Sequence, residues 1–231
     1  MNNFGNILVV GSSGGIGSAV AEYMLPRTQE LIGVSRSPSK FGRWIQADIS
    51  NLAEIKTIAE SINFPLDAIL YVAGTWETKA FTPEYSFERC SDRDLDNVIA
   101  VNLLAPIHLV KALLPALRRA ENPKIIFMGA LSGLDNFPGR EVANTASKFG
   151  LRGVVHALRE ELRRERIAVT IINPGNIATP EVLEDLQQAR RSAKDAIPIA
   201  DLLKVIDCVM SLSNNTCIKE IQLPAMSDRG A

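Results

Sequence analysis

The sequence predicts an α/β fold in which one mainly parallel sheet carries helices on both faces. Two observations predict it: short apolar runs alternate with longer helical patterns from end to end, and a glycine-rich turn joins the first run to the first helix. Such alternation implies parallel strands joined by right-handed crossovers, with helices on both sides of the sheet. No internal repeat or Pro/Gly-rich linker divides the 231 residues. We therefore expect a single doubly wound domain over residues 1–231.

Seven strands are predicted from short runs rich in β-branched residues. They are NILVV (6–10), LIGVS (31–35), WIQADI (44–49), DAILYV (67–72), KIIFMG (124–129), IAVTIIN (167–173) and IKEIQL (218–223). Apolar residues at helical spacing predict helices between them. These cover residues 15–26, 51–62, 92–120, 143–165 and 199–212. Only RSPSKFGR separates the second strand from the third, so we expect no helix in that connection.

Composition and charge exclude several classes of partner. The net charge is −1, and the most charged stretch, 158–169, alternates acids with bases as a solvated helix face does. Neither a nucleic-acid footprint nor a membrane-binding patch is therefore expected. No apolar run approaches the roughly 18 residues of a membrane span, and the N-terminus leads directly into a strand without a basic leader.

The cysteines and histidines give no indication of a disulfide framework or a metal site. Cys90, Cys208 and Cys217 are odd in number and lack CxxC spacing, which favours free thiols in a reducing cytoplasm. His108 and His156 each fall in an apolar helical pattern, where packing is the ordinary role. We expect no bound metal.

The turn GSSGGIG after the first strand is typical of a nucleotide site. Gly11, Gly15 and Gly17, with Ser13 and Ile16 between them, have GxxxGxG spacing between a strand and a helix. Glycines there allow a tight turn and close approach to a pyrophosphate, and the helix N-terminus offers free N–H groups. Turns use glycine in any case, so the position of the cluster carries the prediction.

The end of the second strand predicts which dinucleotide binds. An acid there would accept a hydrogen bond from the ribose 2′-hydroxyl of NAD. Ser35 followed by Arg36 suits a 2′-phosphate instead, which predicts NADP(H) in preference to NAD(H). The alternative is an exposed loop arginine. After the third strand, Asp48 and Ile49 are candidates for the adenine, while Asp48 or Ser50 could instead cap the next helix.

Several short motifs follow in a characteristic order: the glycine turn, ADIS, YVAG, VNLLAP, ASK and NPGNIATP. Together they resemble the short-chain dehydrogenase/reductase superfamily over roughly residues 5–223. The resemblance implies a seven-stranded Rossmann sheet that binds NAD(H) or NADP(H), a small-molecule substrate, and a homodimer or homotetramer formed through helices 92–120 and 143–165. It also implies that Ala73 and Gly74 line the adenine-ribose side. The nicotinamide carboxamide would be held by Pro174, Gly175, Ile177 and Thr179.

The resemblance further implies an Asn–Ser–Tyr–Lys catalytic set, of which two members are present. Asn102 and Lys148 match, and the lysine also binds the nicotinamide ribose. Gly129 and Ala130 stand where the family has serines, and Asn144 stands in place of the tyrosine. An amide cannot cycle a proton as a phenol can, but it can donate a hydrogen bond to an oxyanion, so Asn144 is a tentative catalytic residue.

Other side chains could replace the missing groups, but none is compelling. Ser132 lies two residues late, which along extended chain would displace its hydroxyl by roughly 6 Å. Tyr71 reads as strand packing, Tyr85 as a loop residue, and Thr145 is rotated away from Asn144 on the helix.

Three functions remain open. The first is an atypical reductase that transfers hydride from NADPH to a carbonyl, conjugated carbonyl or imine without a tyrosine acid. The second is a catalytically silent NADP(H)-binding or scaffold protein, and the third is a non-redox lyase or isomerase on the same fold.

Residues 178–198, within the charged stretch 178–201, are either a substrate lid or a surface helix. The loop 75–94 predicts an aromatic-lined site mouth, although loop aromatics often only pin a loop; it carries Trp76, Phe81, Tyr85 and Phe87.

Overall fold

The computed structural model, which describes residues 3–135 and 137–227, contains a seven-stranded parallel sheet in the order β3-β2-β1-β4-β5-β6-β7. The predicted α/β fold and strand number are confirmed. The strands are β1 Asn6–Val10, β2 Glu30–Ser35, β3 Arg43–Gln46, β4 Ala68–Tyr71, β5 Lys124–Met128, β6 Ala168–Pro174 and β7 Glu220–Leu223. The strand order reverses between β1 and β4. Ligands of such sheets bind beyond the carboxyl ends of the strands at this switch point.

Helices cover both faces of the sheet and bury two separate sets of side chains. They are α1 Gly15–Met24, α2 Leu52–Glu60, α3 Asp92–Ile99, α4 Ala105–Leu117, α5 Val142–Leu162, α6 Pro180–Gln188 and α7 Ile199–Ser211. Because side chains alternate along a strand, Leu8 and Val10 of β1 pack with α2, α4 and α5, whereas Ile7 and Val9 pack with α1 and α7. Strands covered on both faces are nearly continuous apolar runs, as β1, β4 and β5 are after the polar first residues Asn6 of β1 and Lys124 of β5.

Several predicted boundaries were wrong. The third strand ends at Gln46, so Ala47, Asp48 and Ile49 belong to the following loop. The predicted helix 92–120 is interrupted by a π-helical segment, Ala100–Leu104, and α4 ends at Leu117. The charged stretch after β6 contains the additional helix α6. The β2–β3 connection has no helix, as predicted.

One helical stretch that was not singled out from the sequence has the length and composition of a membrane span. The continuous helical stretch Asp92–Leu117 has 26 residues and is apolar enough to cross a membrane. Its buried residues Leu109, Leu113 and Leu117 pack in the core beside the sheet. The core helix of a globular domain has the same composition, so this stretch is weak support for a membrane span.

Candidate functional site

The glycine turn brings two strand ends into close contact at the switch point. Gly11 has a φ of 91°, and a Cβ there would lie 2.8 Å from the Ala73 nitrogen. A Cβ on Gly17 would overlap the Gly11 carbonyl oxygen, whereas nothing lies within 4 Å of a Cβ on Gly14. The turn is therefore closed against the protein and open on its outer side, which is the side a phosphate would approach.

Helix α1 begins at this turn without a cap. Asn51, Ser91 and Thr179 each accept a backbone hydrogen bond at the start of α2, α3 and α6. At α1, Gly14 offers no side chain, and the first turn holds no acid. The first N–H groups of a helix carry partial positive charge and need acceptors. The half-buried Ser13 and Ile16 flank this opening. These groups fit a pyrophosphate.

The end of β2 separates Ser35 from Arg36. The Ser35 hydroxyl is buried, donates to the Ser37 carbonyl at 2.7 Å and accepts from Trp44 Nε1 at 3.1 Å. Arg36 is exposed, and within residues 3–135 and 137–227 no ion pair engages its guanidinium. Ser35 thus holds the turn, and Arg36 is the group available to an anion.

Asp48 lies in the loop after β3, and the predicted helix cap is wrong. Asn51, not Asp48 or Ser50, caps α2 by accepting from the Ala53 N–H at 3.0 Å. Asp48 Oδ1 instead accepts from both the backbone N–H and the hydroxyl of Ser50. These bonds fix the loop, with Ile49 packed against the core beside it.

The segment after β6 runs towards the glycine turn. Pro174 ends β6, and the Gly175 N–H donates to the Leu223 carbonyl. Ile177 is buried and bridges Ile197. A Cβ on Gly15 would lie 4.0 Å from the Thr179 methyl group. The predicted carboxamide segment and the predicted phosphate turn are therefore neighbours.

Asn102 ties the loop after β4 to helix α5. Its amide donates to the Thr75 carbonyl at 2.8 Å and to Ser147 Oγ at 3.1 Å, and its Oδ1 accepts from the Thr75 N–H. A Cβ on Gly74 would lie 3.7 Å from Asn102 Oδ1 and 3.8 Å from Lys148 Nζ. Gly74, Asn102 and Lys148 thus lie close together beyond the carboxyl end of β4.

Lys148 points into the carboxyl end of the sheet, where its Nζ donates to the Met128 carbonyl at 3.1 Å. Burial lowers the pKa of the Lys148 ammonium from 10.5 to about 8. A half-buried cation at this position can donate to ribose hydroxyls and attract developing negative charge.

This shift predicts a pH dependence of stability. Between about pH 8 and 10.5 the unfolded Lys148 binds a proton that the folded protein has lost, so the free energy of unfolding rises with pH in this window. Below it both states are charged, and above it both are neutral. Urea unfolding across the window should show this rise, and the difference between wild type and Lys148→Met should isolate it from other groups. Parallel pH curves for the two proteins would contradict the assignment.

Asn144, which lies one helical turn before Lys148 on α5, faces Ser132 in the turn after β5. Asn144 Nδ2 lies 3.4 Å from Ser132 Oγ, and both residues are buried. The extended chain on which the 6 Å displacement of Ser132 was based is not present, because β5 ends at Met128 and residues Leu131–Gly133 form a tight 3-10 turn. The Ser132 hydroxyl therefore lies beside the Asn144 amide, although the sequence motifs indicated only the amide at this place.

Three side chains at the start of α5 have no counterpart in the sequence motifs. The carboxylate of the fully buried Glu77 accepts from the N–H groups of Ala143 at 2.7 Å and Asn144 at 3.2 Å, and its Oε2 has no partner within the described ranges. Tyr85 Oη accepts from the Val142 N–H at 3.1 Å. Glu141 accepts from the Phe81 N–H at 2.9 Å. No spacing rule links residue 77 to residue 143, so local patterns could not find this contact.

The two other tyrosine or threonine candidates do not face the site as proton donors. The Tyr71 hydroxyl donates to the Val101 carbonyl of the π-helical segment at 2.6 Å, and burial raises its pKa well above 10.0. Thr145 Oγ1 is buried and unpaired in the part of the chain that the structure describes. Among the described residues neither forms a hydrogen bond with Asn144, and Tyr71 instead stabilises the π segment that contains Asn102.

Comparison with known proteins gives a consistent result. The family model described as short chain dehydrogenase matches residues 5–190. The chain is 30% identical over 185 residues to the short-chain dehydrogenase/reductase olcF of Penicillium canescens, which covers 75% of this chain and 69% of that protein. It is 29% identical over 206 residues to the 3-oxoacyl-[acyl-carrier-protein] reductase FabG of Escherichia coli K12, covering 82% and 81% of the two chains.

Solved structures share the fold. A short chain dehydrogenase from Escherichia coli CFT073 complexed with NADPH superposes with a TM-score of 0.81 at 21% identity, covering 96% of this chain and 97% of that one. The described residues thus have the fold of a protein that binds NADPH.

Proposed function

Because the chain belongs to the short-chain dehydrogenase family, a family of oxidoreductases, we propose that it is an atypical NADP(H)-dependent reductase. Its substrate would be a carbonyl, conjugated carbonyl or imine, reduced without a tyrosine acid. The observation that carries the proposal is the buried pair of Asn144 and Ser132, one helical turn from Lys148 at the carboxyl end of the sheet.

The cofactor half rests on how well the residues fit a dinucleotide phosphate. The uncapped start of α1 and the open face of Gly14 suit the pyrophosphate, and the unpaired Arg36 suits a 2′-phosphate. Lys148 suits the nicotinamide ribose, and Gly74 is assigned with Ala73 to the adenine-ribose side, where a Cβ on Gly74 would lie 3.8 Å from Lys148 Nζ. We assign the remaining contacts as predicted from the sequence: Gly11, Ser13, Gly15, Ile16 and Gly17 at the phosphates, Ser35 beside Arg36, Asp48 and Ile49 at the adenine, Ala73 at the adenine ribose, and Pro174, Gly175, Ile177 and Thr179 at the carboxamide.

Reversing the charge at Arg36 should change cofactor preference. Arg36→Asp removes the only proposed partner of the 2′-phosphate and supplies an acceptor for a 2′-hydroxyl, so we expect the NADPH:NADH affinity ratio to fall at least about tenfold. Calorimetric titration of both cofactors measures the ratio. Arg43→Asp changes charge by the same amount at an arginine that is paired with Glu30, and should leave the ratio unchanged. An unchanged ratio in Arg36→Asp would refute the assigned role.

In the chemical half, bound NADPH would supply the hydride and the protein would stabilise the product anion. Asn144 Nδ2 and Ser132 Oγ lie 3.4 Å apart, so both can donate to one oxygen that contacts the two groups from the same side, and the Lys148 ammonium adds positive charge nearby. An amide cannot cycle a proton at neutral pH, so water or the substrate would supply it. This arrangement favours substrates in which the charge is delocalised, such as enones, or in which little oxyanion forms, such as iminium ions.

The test is hydride transfer itself. Protein, NADPH deuterated at the transferred position and a panel of enones, imines and simple ketones are incubated, and deuterium in the product is measured by mass spectrometry. We expect transfer to enones or imines and little to simple ketones, with Ser132→Ala reducing the rate about tenfold or more. Tight NADPH binding without transfer to any of these substrates would overturn the reductase proposal.

One observation favours the catalytically silent alternative. Asn144 and Ser132 interact with each other and are both nearly inaccessible, as residues of a closed site are. The deuterium experiment distinguishes the two functions, because a silent protein binds NADPH and transfers nothing.

Two further proposals concern assembly and closure. Leu104 and Ile107 near the start of α4 and Phe149 on α5 are exposed apolar side chains on the two helices predicted to form subunit contacts, which supports a homodimer or homotetramer.

Residues 178–198 form an excursion whose two ends are joined by hydrogen bonds from Ala178 N–H to the Ile197 carbonyl and from Ile197 N–H to the Asn176 carbonyl. A segment fixed at its base can move as a lid over the single domain.

A further inference from the structure

The loop that follows β4, residues 75–85, presents two aromatic rings in edge-to-face contact to solvent. Trp76 is 59% exposed and Phe81 is 62% exposed, and their rings meet edge to face with centroids 5.9 Å apart. Single exposed aromatic side chains are common on protein surfaces. An edge-to-face pair is different, because the two rings together form one apolar surface of defined shape.

The backbone of this loop is fixed in an unusual conformation. Lys79 and Phe81 have φ values of 62° and 65°, in the left-handed region that side chains with a Cβ disfavour. Such conformations persist where the surroundings enforce them, and they occur often at ligand clamps. Here Glu141 accepts from the Phe81 N–H itself. Glu77 and Tyr85 bind the first turn of α5 on either side of Phe81 in the sequence.

The same contacts hold the residues on both sides of Trp76 against Asn102 and Asn144, two of the proposed catalytic residues. The residue before it, Thr75, is held through its backbone by Asn102. The residue after it, Glu77, is bound to the Asn144 N–H. Trp76 is therefore attached on both sides to residues that contact the proposed catalytic groups. Its side chain is exposed, whereas that of Glu77 is buried.

We propose that Trp76 and Phe81 determine substrate specificity by binding a flat apolar ring attached to the reducible group. The inference rests on the proposed reductase function and narrows its substrate class to ring-bearing conjugated carbonyls or imines. Edge-to-face aromatic pairs offer both a ring face and a ring edge, to which a third planar ring can stack. Because the loop is already fixed, binding costs little further ordering of the protein.

The test measures binding of two uncharged enones, with and without NADP⁺, by calorimetry. Benzylideneacetone carries a phenyl ring beside its conjugated carbonyl, and mesityl oxide carries only methyl groups. We expect wild type to bind benzylideneacetone at least about tenfold more tightly, and Trp76→Ala or Phe81→Ala to lose most of that preference. Affinity for mesityl oxide should stay within about twofold. Phe87→Ala is the matched control, since Phe87 is also an exposed aromatic residue between β4 and α3 but lies outside the edge-to-face pair of Trp76 and Phe81.

Because NADP⁺ has no hydride to give, this readout does not depend on catalysis. Absence of NADP⁺ binding would defeat the proposed reductase function, while the binding of the two enones would still decide the role of the pair. Equal affinities for the two enones in wild type, or an unchanged preference in Trp76→Ala and Phe81→Ala, would overturn the inference. Both side chains are exposed, so neither substitution should impair folding; thermal unfolding of each variant checks this.

Discussion

The double variant Ala130→Ser with Asn144→Tyr is expected to reduce simple activated ketones at least about 100-fold faster than wild type. General acid catalysis contributes about 10²–10⁴-fold, and this substitution returns a phenol four residues before Lys148. The ammonium of Lys148 and the N-terminus of α5 both favour the ionised phenol, so its pKa would fall towards neutrality. Loss of reduced-nicotinamide absorbance with an activated ketone measures the rate.

Two comparisons sharpen this result. The single variant Asn144→Tyr tests whether Ser132, already beside residue 144, can serve in place of a serine at 130. If it can, the single and double variants are equally fast, and adding Ser132→Ala to the single variant removes the gain. A folded double variant that binds NADPH but is no faster than wild type would show that the substrate pocket has diverged as well as the proton donor.

The sequence predicted the frame of this site well because its signals are local. Glycines between a strand and a helix indicate a turn that no larger residue fits, and Gly11 and Gly17 do lie against backbone atoms. Strand–helix alternation determines which loops share an edge of the sheet. Asn102 and Lys148, which the resemblance placed in one catalytic set, both lie close to Gly74 although they are far apart in sequence.

The errors arose where geometry depends on tertiary contacts or on an assumed backbone. The displacement of the Ser132 hydroxyl from the position of the family's serine was judged on extended chain, but residues Leu131–Gly133 form a 3-10 turn. The π segment in the predicted helix 92–120 is held by the Tyr71 hydroxyl of β4, which donates to the Val101 carbonyl, and by its own Asn102, whose amide donates to the Thr75 carbonyl in the loop after β4. Glu77 was not singled out at all, because its partners lie 66 and 67 residues away.

Replacing that residue is the second substitution with a large expected effect. Glu77→Ala leaves the N–H groups of Ala143 and Asn144 buried without an acceptor, at about 1–3 kcal/mol each, and removes a negative charge from the N-terminus of α5. Deleting the unpaired Oε2 returns part of this, because that atom gains no hydrogen bond for its burial. We expect a net loss of about 2–3 kcal/mol in the free energy of unfolding, measured by urea denaturation.

Glu77→Gln separates hydrogen bonding from charge. Its amide oxygen can still accept from both N–H groups, so it should lose no more than about 1 kcal/mol, the usual contribution of a charge at a helix terminus. Glu84→Ala is the control, since Glu84 is an exposed acid of the same loop and should change stability little. If Glu77→Ala is as stable as Glu84→Ala, the carboxylate does not hold the start of α5. If the glutamine variant is as unstable as the alanine variant, the charge rather than the acceptor stabilises the helix, and the position of Asn144 depends on the electrostatics of the loop.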